Sequence, residues 1–138
     1  IEVELTESYI ASNMDALAES FNRIRQMGMS IAMDDFGTGY SSLGILKLAP
    51  ADVVKIDRTF VRDILSSSFD ATFIRFIVEL CHDVGIRVCL EGVETEAEYI
   101  AVRSMQPDYI QGFYFGRPLS AEKFVRLFLS GERRPEAE

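Results

Sequence analysis

Strand-like and helix-like stretches alternate along this chain, and that alternation restricts the possible fold more than any other feature. "IEVELTE" alternates apolar and polar residues with a period of two, as a half-buried strand does. "MDALAESFNRIRQMG" follows, with Met14, Leu17, Phe21, Ile24 and Met27 at helical spacing and Gly28 as its stop. "SIAMDDF" reads as a second strand, a short helix runs through Leu43, Leu46 and Leu48 to Pro50, and "DVVKID" reads as a third strand. "DATFIRFIVELCHDVG" predicts a helix ending at Gly85, and "IRVCLEGV" a fourth strand. Thr95 and Glu98 form a capping box for the next helix, and "DYIQGF" is the fifth strand. "SAEKFVRLFLSG" closes the series, with Ser120 as cap and Gly131 as stop. Strict alternation implies a parallel sheet, either doubly wound or closed into a barrel. No shift in composition divides the chain. Residues 1–131 are therefore expected to be one domain or part of one, beginning inside an element at Ile1, with 132–138 a disordered tail.

The second strand stops on two adjacent acids, Asp34 and Asp35, before the glycine-punctuated "FGTGYSS". A short Asp can cap a turn and start a helix at Ser41 or Ser42. Adjacent carboxylates at a strand mouth can also hold a divalent metal. Polar groups recur at the other strand ends: Glu4 and Glu7 on the first, Lys55 and Asp57 on the third, Glu91 and Glu94 on the fourth, Gln111 on the fifth. Singly, each has a plain reading as a wet edge, a surface ion pair or a helix start. Together they match the C-terminal rim on which a (β/α) barrel builds its site. A doubly wound sheet gathers its ligand at one crevice, and no glycine-rich nucleotide fingerprint is present. Barrel geometry would point Glu4, Asp34, Lys55 and Glu91 into one bowl. Ile31, Met33, Val54 and Val88 or Cys89 are expected to face the barrel interior.

Oxygen donors without a histidine cluster suit magnesium or manganese, since His82 is the only histidine. A net charge of −8 disfavours DNA binding, so an anionic substrate would need positive charge from metal ions. Cys81 and Cys89 have no metal-like spacing and read as buried reduced thiols of a cytoplasmic protein. No apolar run is long enough to span a membrane. Spacing alone leaves open both phosphoester hydrolysis and enolase-like chemistry.

"ELTES", "DDFGTGYSSL", "KIDRTFV", "EGVET" and "QGFYFGRPL", in that order, closely resemble the C-terminal portion of the EAL-domain family, bacterial phosphodiesterases that linearise cyclic di-GMP to pGpG. The resemblance covers Ile1 to Leu119. It implies a (β/α)8 TIM-barrel type fold, here incomplete, with about five C-terminal βα units. It implies metal ligands at Glu4, Asp34 (shared by two metals), Asp35 and Glu91. It makes Lys55 a catalytic lysine near the attacking water or a phosphate oxygen, and Glu91 an acid that binds or activates that water. Glu7 would steady the mobile loop of Phe36, Gly37, Thr38, Gly39 and Tyr40, with Asp57, Glu94 and Gln111 around the substrate. Glu-Ala-Leu and an Asn of the first metal shell, both from earlier strands, are absent. The expectation is thus metal-dependent hydrolysis by a longer protein with upstream sensory or GGDEF domains, this chain alone being impaired and self-associating. The other reading is a non-catalytic module that binds cyclic di-GMP or a protein partner.

Overall fold

The computed structural model describes residues 1–39, 43–48 and 51–129. Strand β1 (Glu2–Thr6) passes directly into helix α1 (Glu7–Gln26), because the Thr6 hydroxyl caps the helix by accepting the Tyr9 N–H. The chain continues through β2 (Ser30–Phe36), α2 (Gly44–Leu48), β3 (Val53–Ile56), α3 (Arg58–Arg62) and α4 (Ser68–Asp83). It ends with β4 (Arg87–Leu90), α5 (Glu96–Arg103), β5 (Tyr109–Ile110) and α6 (Ala121–Phe124), whose last turn widens into a π-helix over Val125–Leu129. The Thr95–Glu98 capping box forms at the start of α5. Tyr40, Ser41, Ser42, Pro50, Gly131 and residues 132–138 lie outside the described residues.

All pairings are parallel, and the sheet order is β1-β2-β3-β4-β5. A doubly wound sheet reverses its strand order at a switch point. Here every strand pairs with its successor, which is the winding of a barrel wall. Right-handed crossovers then place the helices on one face. That face holds the core: Ile31 and Met33, Val54 and Ile56, Val88 and Leu90 pack with Phe21, Ile74, Ile77 and Cys81.

This corrects the expectation for the barrel interior. Ile31, Met33, Val54 and Val88 face the helices, and the concave side carries a small cluster of Ala32, Val53 and Cys89. Side chains alternate with a period of two, so strands that aim Asp34, Lys55 and Glu91 into the bowl must also send Ala32, Val53 and Cys89 that way.

Two aspartates fasten the opposite end of the sheet in the same manner. Asp52 exchanges backbone and side-chain hydrogen bonds with Ile31 (both 2.8 Å), while Arg25 in the last turn of α1 binds its other oxygen at 3.1 Å. Asp108 does this with Val88 (N–H to carboxylate 2.7 Å), joined by His82 in the last turn of α4 at 2.9 Å. In both, the helix residue (Arg25 or His82) precedes the clamped strand residue by six positions, so helix end, strand start and next strand are tied at one point.

Candidate active site

The adjacent aspartates are explained by a bulge. Met33 pairs with Val54 and Phe36 with Ile56, so β2 spends one residue more than β3 over this interval. Asp35 takes up the excess in a left-handed conformation (φ 56°), which Asp tolerates better than most residues. Asp34 consequently keeps its inward aim, while Phe36 is turned outward into the hydrophobic core. Phe36 is therefore a buried strand residue, not part of a mobile loop or a substrate contact as expected.

At the C-terminal mouth, the Lys55 ammonium lies 2.8 Å from Glu4 Oε1, 3.2 Å from Asp34 Oδ1 and 2.9 Å from Glu91 Oε1. Four neighbouring strands thus each direct one ionisable group to a single point. The Lys55 side chain is only 7% exposed, and its partners are more open. Burial works against the ammonium, but hydrogen bonds to Glu4 and Glu91 and the charges of Glu91 and Asp34 outweigh it and hold the pKa above the ordinary lysine value. Burial pushes the Glu91 carboxyl upward, against the pull of Lys55. Beneath them, burial and the Glu91 charge raise the Cys89 thiol to about 12, so it stays protonated and inert. A cleft of about 460 Å³ runs along the concave side beside Lys55, lined by Glu4, Val53, Cys89, Tyr109, Gln111 and Phe115.

The rim is tied together by backbone. Gly37 (φ 94°) donates its N–H to Glu7 Oε2 at 3.1 Å, and Glu7, at the start of α1 rather than in β1, is almost fully buried. Thr38 bonds the Asp35 carbonyl through N–H and hydroxyl alike. Gly39 continues this turn exposed, and Tyr40 lies outside the described residues. Beyond β4, the Val93 N–H bonds the Gln111 carbonyl and the Val93 carbonyl accepts from Tyr114. A Cβ on Gly112 would stand 2.0 Å from the Val93 oxygen, and one on Gly92 (φ 77°) would stand 2.3 Å from Arg58 Cβ. These two glycines allow the segments carrying Glu91 and Gln111 to lie in contact. "EGV" and "QGF" were the sequence signal, since a glycine just past a strand end marks close backbone approach.

Two expected residues stay out of the bowl. Asp57 caps α3 by accepting the Thr59 N–H at 2.9 Å; although burial raises its pKa, that hydrogen bond and the Arg58 charge hold it below the ordinary value. Glu94 is exposed in a separate cleft beside Arg58, Arg62 and Glu98. Asp35 makes no ion pair with Lys55 among the described residues.

The donors fit magnesium or manganese by type: they are all oxygens, and the buried Asp34 Oδ1 accepts no hydrogen bond and meets only the Lys55 charge at 3.2 Å. Glu4, Asp34 and Glu91 surround Lys55, and among the described residues no group of three acid, cysteine or histidine side chains is arranged to hold a metal ion.

Comparison with known proteins agrees with this architecture. The sequence model of the EAL domain matches residues 1–118. Cyclic di-GMP phosphodiesterase NbdA of Pseudomonas aeruginosa is 37% identical over 131 residues, covering 93% of this chain and 17% of that protein. The MucR phosphodiesterase of the same organism, solved in complex with c-di-GMP, is 40% identical with a TM-score of 0.82, over 89% of this chain and 50% of that one. BlrP1 of Klebsiella pneumoniae, in complex with manganese and cyclic di-GMP, is 38% identical with a TM-score of 0.80, over 85% of this chain and 30% of that one. Barrel winding, a polar C-terminal rim and a match that runs almost end to end lead to one conclusion: the chain belongs to the EAL domain family.

Proposed function

We propose that this chain supplies most of the catalytic rim of a phosphodiesterase that hydrolyses cyclic di-GMP to linear pGpG. The observation that carries the reading is the convergence of Lys55, Glu4, Asp34 and Glu91 from four adjacent strand ends. Glu4, Asp34, Asp35 and Glu91 would hold magnesium or manganese, which when bound supplies Lewis acidity and neutralises phosphate charge. Water adds to phosphorus and one P–O3′ bond breaks, leaving a 5′-phosphate and a free 3′-hydroxyl. Glu91, which comes within 2.9 Å of Lys55 at the end of β4, would accept the proton that the water loses. The Lys55 ammonium stabilises the negative charge that grows on the phosphate oxygens. Glu7 fixes the turn after β2 through Gly37, and Gln111 lines the cleft. Upstream sensory or GGDEF domains, and action in the cytoplasm, belong to the same proposal. No helix among the described residues is long and apolar enough to cross a membrane.

Chromatography of cyclic di-GMP incubated with the chain, once preceded by the remaining strands of a barrel, tests this. pGpG is expected with magnesium or manganese and not with calcium or a chelator. Glu91→Gln and Asp34→Asn each slow it by orders of magnitude. A completed barrel that binds cation and cyclic di-GMP without forming pGpG would make the module a receptor instead.

A further inference from the structure

One nitrogen serves three carboxylates. Glu4, Asp34 and Glu91 each place an oxygen 2.8 to 3.2 Å from the Lys55 Nζ, so no two of these oxygens stand more than about 6 Å apart. Without a cation between them, carboxylates so close would repel strongly. One ammonium leaves the three carboxylates with two negative charges in excess, and a divalent cation in its place would leave one. The ammonium lies within 3.2 Å of all three oxygens, where a cation bound by the same three would also stand. A small divalent cation draws its oxygens in to roughly 2 Å, closer than an ammonium does. The two cations cannot share that centre. This also accounts for a set of donors that is right in type yet not arranged for a metal. Lys55, near the end of β3, also lines the cleft on the concave side together with Glu4 and Gln111, so an ammonium leaving the carboxylates has open space beside it.

We infer that Lys55 is an exchangeable counter-ion: it holds Glu4, Asp34 and Glu91 together, yields them to a divalent cation, and is thereby freed to meet a phosphate oxygen. The inference rests on the proposed reading of the bowl as a cation-dependent phosphodiester site. It makes cation and phosphodiester binding mutually reinforcing, because each step removes an obstacle to the other.

Two measurements on the full chain test it. In the first, the ¹⁵N signal of the Lys55 ammonium is followed during a magnesium titration. A protected signal that shifts and loses its protection as magnesium saturates supports exchange; an unmoved signal at saturation overturns it. In the second, manganese binding to Lys55→Met is compared with the unchanged chain by calorimetry. Binding roughly tenfold tighter in the variant is expected, since a positive charge has left the site. Equal or weaker binding, or none in either protein, overturns it. If Lys55→Met does not fold, the titration of the unchanged chain decides. Formation of pGpG by the completed barrel with Lys55 unmoved refutes the exchange alone. Release of Lys55 without pGpG refutes hydrolysis alone.

Discussion

Asp108 shows how a single carboxylate can organise three elements, and its ionisation makes that work measurable. Burial raises its pKa, but the Val88 N–H and the His82 imidazole outweigh burial and hold the carboxyl below its ordinary value. A depressed folded-state pKa stabilises fully above the unfolded value, near pH 4, and the contribution is lost as pH falls through the lower folded value. Asp108→Ala is therefore expected to cost about 1 kcal/mol at pH 7, discounted for the partial exposure of the pair. The gap between the variant and the parent should narrow as pH drops below about 4. Urea midpoints from pH 7 to pH 3 check this, and a gap of constant size would contradict it. The residue scale is also where the sequence was hardest to read. Glu4, Asp34, Lys55 and Glu91 stand out as polar interruptions at strand ends. The bulge at Asp35 does not, because nothing in "MDDF" signals that β2 carries an extra residue, and so Phe36 was misplaced. Asp57 resembles a site residue for a related reason: a carboxylate just past a strand serves equally to cap the helix that follows.

Among the elements, the loop after β4 and the turn after β5 behave as one body, because their hydrogen bonds interlock across Gly112. Adding a methyl group there drives it into the Val93 backbone, which cannot give way as a flexible side chain would. Gly85, by contrast, has a positive φ of 77° but open space around it. Gly85→Ala should cost about 1 kcal/mol, the strain of a left-handed alanine. Gly112→Ala should cost more than about 3 kcal/mol or unfold the β4–β5 rim. Thermal melts of the two variants give the ordering directly, and comparable melting temperatures would refute it. The helices and strands themselves were legible, because amphipathic and apolar runs alternate clearly. Two features were not. Helix α3 is a five-residue turn too short for periodicity to reveal, and the burial of all four β3 side chains conceals which face each strand residue takes. Met27, expected on the apolar stripe of α1, is exposed because it caps the helix instead of continuing it.

For the molecule as a whole, the concave side of the sheet holds little apolar packing, while large apolar side chains stand exposed on the outer layer. Helix α4 buries Ile74, Ile77, Val78 and Cys81 on one side and leaves Phe69, Phe76 and the adjoining Val84 exposed on another. Beside it runs a groove of about 760 Å³ lined by Leu43, Leu46, Ala51, Phe76, Leu80 and Ile86. Exposed apolar surface of this extent favours association. Light scattering at low micromolar concentration should show a mass above 15.6 kDa that rises with concentration; a stable, cooperatively folding monomer would show that this surface needs no partner. The strand order has a consequence for how the chain acquires its structure. Since each strand after β1 pairs with the strand made just before it, β2 to β5 each emerge from a ribosome with a partner already synthesised. Loop closure is confined to one βα unit at a time, which keeps the entropic cost of each docking step small. Growth can then proceed by addition at a single moving edge, with Asp52 and Asp108 arriving late enough to lock the unit already in place.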